Sequence, residues 1–518
     1  MDKDRGLVRA AGAMSIMTML SRVAGYARDF LQASLLGAGL SSDAFVIAFR
    51  IPNMLRRLVG EGALTSAFVP TFARYMKDDD RRAMWRFATS VFYALSLLLV
   101  AIVVLGVALS PLLVKLLAWG YSADPAKFDL TVHLNRWMFP YIFLISLAAL
   151  ASAILNCFDR FALPAFTPLL LNLSIIGCAL AFADRFEDPA YAFAVGVIAG
   201  GTLQLVVQLP PLLRRGFSLR PPRPFDLEGL KEVGRLMLPR LFGAGITQIN
   251  LVVDSQFAAW LRSGSVSFLY YSIRVTELTL GVFAISLSTV ILPRLSRAVV
   301  AGDREEVIGT LGTAVRLLVF VTIPATLGLW VLKAPIIHVL FERDRFTGDD
   351  TLLTSSALGW YGLGLLPMAA VSVLATGFYA RRDTRTPVLV ALLTFVVHLG
   401  LNFALIGPMR HDGIALSTSA SALVNAALLA WILRRRTGEF LTGEVLRSAA
   451  RASVAGAVMA AALLVVRGRY DILALPGIWS KVLVLAGLVA GGAGLYLGTS
   501  WALGGREVRL IGSGLRRR

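Results

Sequence analysis

The chain has little sulfur and little imidazole. Its 518 residues include two cysteines and four histidines. Cys157 and Cys178 are too few for a disulfide framework, and His133, His338, His398 and His411 are scattered without metal-ligand spacing. Each reads as a packed or interfacial side chain. Charge is scarce too. Asp, Glu, Lys and Arg make up 16% of the residues against 57% apolar ones, and they crowd into short clusters between long apolar runs. That is the composition of a membrane protein. Acids are the scarcer sign, 32 against 51 basic residues, for a net charge of +19. Such an excess points to nucleic acid when it is gathered on a soluble domain. Here it sits at the ends of apolar runs, so nucleic acid is excluded as a partner. The Gly-rich stretches Gly196 to Gly201 and Gly491 to Gly494 lie inside apolar segments and lack the Lys-Ser/Thr of a phosphate loop, so close helix packing is their expected role. No enzyme constellation and no nucleotide-binding domain is left. The expectation is a transporter with no cofactor, driven by an ion gradient, the membrane potential or the gradient of its substrate.

What is present is apolar length. A helix needs about 20 mostly apolar residues to cross the hydrocarbon. Roughly fourteen runs qualify or nearly do: 8–37, 42–75, 84–117, 130–157, 165–183, 190–213, 228–261, 266–293, 307–333, 351–380, 386–407, 412–433, 445–466 and 477–503. The predicted fold is an all-α polytopic membrane protein of about 14 transmembrane helices. Lys and Arg segregate into alternate loops. The N-terminus and the segments near 77–86, 160, 214–235, 294–304, 381–385, 434–451 and 506–518 hold about 30, the other side about 9. The positive-inside rule puts the first set, with both termini, in the cytoplasm, and an even span count agrees. The stretch from Ala10 to Leu20 runs into Ser21-Arg22 and Tyr26-Ala27-Arg28-Asp29 rather than a cleavage site, so it stays as the first span.

The chain repeats itself. Asp29, Gly39 and Ser42 line up with Asp254, Gly264 and Ser267 at an offset of 225; Arg50 lines up with Arg274 at 224, Pro70 with Pro293 and Pro164 with Pro387 at 223, and Arg214-Arg215 with Arg434-Arg435 at 220. Ordered matches at nearly one offset imply two duplicated six-helix halves. Six being even, the repeats are parallel, and transporters so built bind substrate between them near the midplane. The expected division is an N-lobe over 1–216, a cytoplasmic linker over 217–227, a C-lobe over 228–436, and two extra helices with a basic tail over 437–518. The Pro-rich, basic stretch from Arg214 to Pro224 reads as a solvated joint, with contact to anionic lipid headgroups as the second reading.

An ionisable side chain at membrane depth costs about 3 kcal/mol on insertion scales, so it faces a partner or a polar cavity. The first span carries Arg22, Arg28 and Asp29. In the second, Asp43, Arg50, Asn53, Arg57 and Glu61 fall within roughly 80° of one another on an ideal helix, and Pro52, Gly60, Gly62 and Pro70 break the rod. The eighth span has Arg274 and Glu277 three apart, and the seventh embeds Asp254 among apolar residues. Internal ion pairs, such as Arg28 with Asp29 or Arg274 with Glu277, are the bland account. They leave the first half with more arginines than nearby acids neutralise. Surplus arginines suit an anion with paired oxygens, a phosphate or a carboxylate.

The runs Met17-Thr18-Met19-Leu20-Ser21-Arg22-Val23-Ala24-Gly25-Tyr26-Ala27-Arg28-Asp29, Ser42-Asp43-Ala44-Phe45, Pro52-Asn53-Met54-Leu55-Arg56-Arg57 and Glu61-Gly62-Ala63 resemble the MurJ (MviN) family of lipid II flippases. So, in the same order, do Leu163-Pro164-Ala165-Phe166, Gly264-Ser265-Val266-Ser267 with Tyr270-Tyr271 and Arg274, and Gly377-Phe378-Tyr379 with Asp383-Thr384 and Thr386-Pro387. The resemblance covers essentially the whole chain. It implies the two-lobed fold of multidrug and polysaccharide exporters, alternating access in the bacterial inner membrane, and a substrate, lipid II, made of undecaprenyl diphosphate bearing a disaccharide pentapeptide. Membrane lipids and other cell-wall synthesis proteins are the further candidate partners. The family's cavity residues fall here on Arg22, Arg28, Asp29, Asp43, Arg56 and Arg274, and the last two spans resemble its groove for the lipid tail. Ideal-helix geometry favours Arg57 over Arg56, about 100° away; the resemblance favours Arg56. Some members bind sodium near an acid on the seventh span, which matches Asp254. Sodium and a carboxyl protonated in one state both stay open for it. The alternatives are a flippase for another undecaprenyl-diphosphate-linked oligosaccharide, a multidrug antiporter of the same fold, which would want acids in its cavity, and a scaffold without transport.

Overall fold

The computed structural model describes residues 2–56, 64–77, 80–470, 472–505 and 507–508. Among them every ordered element is helical. The first half comprises α1 (Asp2–Leu36), α2 (Leu40–Arg56), α3 (Thr65–Lys77), α4 (Arg81–Ala108), α5 (Ser110–Ala118), α6 (Pro125–Met138), α7 (Tyr141–Cys157), α8 (Ala162–Phe182), α9 (Ala190–Val206) and α10 (Leu209–Leu213). There follow α11 (Leu227–Ala259), α12 (Ser265–Val300), α13 (Arg304–Phe341), α14 (Gly348–Leu363), α15 (Leu365–Tyr379), α16 (Arg385–Met409), α17 (His411–Thr437), α18 (Gly443–Arg469) and α19 (Ile478–Ala502). Each of the fourteen apolar runs of the sequence is mainly helical over its described residues. Nine helices among the described residues are long and apolar enough to cross a membrane, or ten if α14 and α15, bent by 41°, form one span. The expected fourteen needs α1, α2 with α3, α11 and α12 as well, and these are the four that carry the ionisable residues.

Three of the runs break where the backbone dictates. α5 starts at Ser110-Pro111 and α7 follows Pro140, positions where proline is tolerated because the first helical amides have no partner. Gly364 separates α14 from α15, and it stands to Pro140 in the same register as Arg274 to Arg50.

The duplication seen in the sequence recurs in the backbone. α1 and α11 start at the offset that relates Asp29 to Asp254, as do α2 and α12, while α4 and α13, like α8 and α16, start at the offset that relates Pro70 to Pro293. Asp80 caps α4 by accepting from the amides of Arg82 and Ala83, and its counterpart Asp303, at the Pro70-to-Pro293 offset, caps α13 by accepting from that of Glu306. The turn that follows α7 puts Asp159 in the left-handed region (φ 56°), and the turn after α15 does the same with Arg382 (φ 58°), again at that offset.

The chain packs as two compact units, one of Met1–Ser267 with Arg343–Phe346 and one of Phe268–Glu342 with Thr347–Arg518. In the first, Leu36, Phe45, Leu134, Tyr141, Ile175 and Phe193 form the core. α8 meets α9 so closely at Gly196 that a Cβ there would lie 2.5 Å from the Ile175 Cα. An aromatic cluster ties α3 to α4 and to the segment after α10: Tyr75 stacks on Phe87 at 4.6 Å, Trp85 on Phe158 at 5.7 Å, and Phe217 meets Trp85 edge-on at 6.0 Å. The Tyr93 hydroxyl donates to the Leu219 carbonyl, and Tyr75 donates to Asp226 at 2.7 Å. The 217–227 linker is anchored to the helices at Phe217, Leu219 and Asp226, while its basic residues Arg220 and Arg223 are exposed, as a solvated joint would have them. Residues 343–346 cross the end of α1, with the Arg345 amide on the Ser34 carbonyl at 3.2 Å. Gly37 (φ +67°) is required there, since a Cβ would lie 2.6 Å from the Arg345 carbonyl oxygen.

In the second unit Leu295, Leu311, Leu318, Val373, Phe378 and Leu433 form one core. Phe320, Val331, Ala455, Met459, Leu463 and Tyr496 form another, where α18 and α19 attach to α13. The Tyr496 hydroxyl donates to the Phe320 carbonyl at 2.6 Å, and Arg316 pairs with Glu444 at 3.0 Å and with Glu507 at 2.8 Å. The outer face of α19 leaves Trp479 and Leu483 at least 70% exposed, as expected of a helix whose solvent is lipid.

In the loop before α16, hydrogen bonds from the Thr386 hydroxyl and amide, and then Arg436, hold the Asp383 carboxyl down to about 2. A carboxyl below its unfolded value of about 3.9 contributes stability in full above that value and loses it as pH falls toward 2. Between pH 4 and 2, detergent-solubilised Asp383→Asn is expected to lose less of its thermal midpoint than the parent; equal losses would contradict the assignment.

Candidate functional site

The ionisable residues of the first unit are organised by the cost of burying charge. Asp43, in the first turn of α2, is 1% exposed. Both oxygens of its carboxylate are engaged: Oδ1 accepts from the Ser267 amide at 2.8 Å and its hydroxyl at 2.6 Å, and Oδ2 accepts from the Gly264 amide at 2.8 Å and the Lys127 ammonium at 2.6 Å. Lys127, itself 4% exposed, also donates to Ser263 at 3.3 Å and sits 4.3 Å from the centre of the Tyr121 ring. The carboxylate caps the start of α12 from a different helix and satisfies amides that the helix leaves open. Asp43 is therefore a joint between α2, α6 and the 263–267 turn.

Arg28 and Asp29 form the second group. The Arg28 guanidinium gives Nε (3.0 Å) and one terminal nitrogen (2.6 Å) to Asp29 Oδ1, and the other terminal nitrogen to Asn172 at 3.0 Å. Asn172 in turn donates to the Ser21 carbonyl at 3.0 Å, tying α8 to α1 one turn from Gly25. Arg22 lies on the exposed side of α1. On α2, Arg50 donates to the Ser255 hydroxyl of α11, and Arg56 Nε donates to Asn53 at 2.9 Å. Arg57 and Glu61 lie outside the described residues. Of the stripe expected along the second span, Asp43, Arg50 and Asn53 lie on α2, which has Pro52 inside it.

In the second unit Arg274 lies over the Tyr270 ring at 5.0 Å and pairs with Glu277 at 3.2 Å on the exposed side of α12. Asp254 is half-buried on α11, in the first unit. Both ion pairs weighed as the bland reading are thus present, and both leave the pair's charge near zero. The sequence reading missed Lys127 and Asn172. Lys127 lies on the side assigned few basic residues, where a cation is out of place, and Asn172 is a lone amide between Leu171 and Leu173; those were the available signals.

The second unit also holds an apolar cavity of about 820 Å³ between α13, α15, α17 and α18, lined by Leu327, Leu366, Pro367, Leu423, Ala457 and Leu464 among others. Its size and lining suit an acyl or prenyl chain.

The sequence model of the family described as lipid II flippase MurJ matches residues 32–484. The chain belongs to that family. It is 39% identical over 510 residues to the probable lipid II flippase MurJ of Vibrio cholerae, covering 96% of this chain and 97% of that one. It is 37% identical over 434 residues to the lipid II flippase MurJ of Burkholderia cenocepacia, covering 83% and 84%. A solved MurJ in an inward closed conformation superposes with a TM-score of 0.78 at 27% identity, covering 94% of this chain and 97% of that one. An inward-facing multidrug transporter of the MATE family superposes at 0.70 with 15% identity, covering 83% and 98%. That last likeness is one of fold alone. The expected all-helical transporter architecture is therefore found, on a MurJ-family chain.

Within this family member the Asp43–Lys127 pair makes a sharp prediction. Removing one partner of a buried pair strands the other charge and costs about 3–5 kcal/mol. Lys127→Met should lose that much in thermal unfolding, and Lys127→Met with Asp43→Asn should recover part of it. A single-variant loss below about 1 kcal/mol, the scale of an ordinary substitution, would remove the pair as a structural joint.

Proposed function

We propose that this chain carries lipid II from the cytoplasmic to the outer leaflet of the bacterial inner membrane by alternating access. The observation that carries the reading is the match of nearly the whole chain to relatives named lipid II flippases. Two features of the structure support it: arginines on α1 and α12 of the kind that bind a diphosphate, and the apolar cavity beside α18, which suits a polyprenyl tail. The relatives are named flippases, and the proposed role is accordingly transport. In this proposal Arg28 and Arg274, with Arg22 or Arg56, take the diphosphate oxygens through their planar forks. Asp29, Asn53 and Glu277 set the orientation of those arginines, and Asp43 holds the scaffold. Both termini lie in the cytoplasm, and an inside-negative potential favours export of the anionic headgroup by about 2.3 kcal/mol per charge for each 100 mV.

Hydrogen bonds to charged groups are worth about 1.5–3 kcal/mol, so Arg28→Ala and Arg274→Ala should each slow lipid II translocation in reconstituted vesicles by about tenfold to a hundredfold. Because Arg28→Ala leaves Asp29 buried, Arg28→Lys provides a charged control for folding. Normal translocation by both alanine variants would sink the diphosphate assignment. Accumulation of a different lipid-linked oligosaccharide on depletion of the protein would reassign the substrate.

Coupling is proposed to run through Asp254, as a sodium ligand or as a carboxyl that takes a proton in one state. Among the described residues no group of three or more His, Cys, Asp or Glu side chains could hold a metal ion. One carboxylate would have to be completed by carbonyl and hydroxyl oxygens, which hard cations accept. Asp254→Asn should abolish any difference between rates in sodium and sodium-free media. An unchanged rate in both media would take Asp254 out of the mechanism.

A further inference from the structure

The turn between α7 and α8 and its counterpart between α15 and α16 share a backbone and differ in charge. The Arg160 amide closes the first onto the Leu155 carbonyl and the Asp383 amide closes the second onto the Phe378 carbonyl, each at 3.0 Å. The two donors correspond at the same offset that relates Pro164 to Pro387. An arginine therefore stands where the other half has an acid.

That acid is busy. The Asp383 carboxylate accepts from the Thr386 amide at 3.0 Å and hydroxyl at 2.6 Å, which caps the first turn of α16, and it pairs at 2.5 Å with Arg436 from the basic end of α17. The first half has Arg214 and Arg215 after α10, the counterparts of Arg434 and Arg435; Gly216 stands in the place of Arg436, and the acid of its turn, Asp159, stands where the other half has Arg382. α8 starts after Phe161 with no side-chain cap. Arg215 is held in place by the Phe158 ring at 5.5 Å and the Pro211 carbonyl at 3.4 Å. Among the described residues no carboxylate makes an ion pair with Arg160, Arg214 or Arg215. Arg160, Arg214 and Arg215, with Asp159 as the single acid, are among the residues that line a cavity of about 450 Å³ whose walls include Leu155, Leu163 and Pro211.

We propose that this cavity binds a phosphate-type anion, which supplies negative charge to Arg160, Arg214, Arg215 and the start of α8, as the Asp383 carboxylate does for Arg436 and the start of α16 in the other half. A planar guanidinium fork matches phosphate oxygens in pairs, and basic pockets at the ends of membrane helices take phosphodiester headgroups. An anionic phospholipid and free phosphate share this chemistry. The site is separate from the residues proposed to handle lipid II.

The test uses the full chain in detergent and measures binding of dihexanoyl phosphatidylglycerol, dihexanoyl phosphatidylcholine and inorganic phosphate by thermal shift and native mass spectrometry. Arg160→Asp installs the acid of the other half and removes one cation, so phosphatidylglycerol binding should weaken by about tenfold or more. The unliganded variant should melt no lower than the parent, because its new carboxylate pairs with Arg214 or Arg215. Arg214→Gln with Arg215→Gln should weaken binding without supplying an acid, which covers the case where Arg160→Asp fails to fold. Binding of phosphatidylglycerol alone, lost in both variants, supports a lipid headgroup; binding of phosphate as well, lost likewise, supports a free anion in the same site. Phosphatidylglycerol binding unchanged in the variants, or phosphatidylcholine bound as tightly as phosphatidylglycerol, overturns the proposal.

Discussion

A carboxylate removed from water in a bilayer protein has to find its solvation inside the fold. Asp43 does so with two amides, a hydroxyl and an ammonium. That demand dictates much around it: Gly264 takes a positive φ of 96° in the turn whose amides Asp43 collects, Lys127 is drawn into a site where a lysine alone would be costly, and α2, α6 and the start of α12 meet at one point. The Arg28, Asp29 and Asn172 set obeys the same rule along α1. Charge within these helices is balanced locally before any of it is offered to a ligand, and Arg22, on the exposed side, is the contrast.

The division between what was legible in the sequence and what was not follows from the range of the forces. Apolar periodicity and length are local, so the fourteen runs are mainly helical wherever the structure describes them. Proline acts on its own backbone, so the breaks at Pro111 and Pro140 come from single residues. The duplication was legible because matching residues keep their spacing, and the caps at Asp80 and Asp303 extend it to hydrogen bonds. Partners were hidden because pairing is long-range. Nothing near Asp43 names Lys127, 84 positions away, and nothing in Arg28 names Asn172. The linker's prolines and exposed charges were legible, but its anchors Phe217 and Asp226 were not, because they attach to α3 and α4 through residues far away in sequence.

Fold and function separate cleanly in this molecule. A MATE transporter shares its architecture at 15% identity, so an all-helical fold built from two repeats leaves the cargo open. What the cargo is has to be decided by the sign and pairing of side chains rather than by the fold. On α1 and α12 the arginines Arg28 and Arg274 each have an acid beside them, Asp29 and Glu277.

The two ways of halving the chain do not coincide. By sequence the second repeat opens with α11, yet α11 packs with α3, α4 and α5 in the first compact unit. A nick in the 217–227 linker would therefore leave the downstream fragment carrying a helix whose neighbours belong to the upstream one. The upstream fragment would have an open slot between α3 and α5, and reassembly of the pair would depend on refilling it. A nick near Ser263 would keep the helix with its neighbours while cutting the turn that Asp43 clamps. The connectivity thus makes one helix the keeper of continuity between two repeats that their sequences alone would let separate.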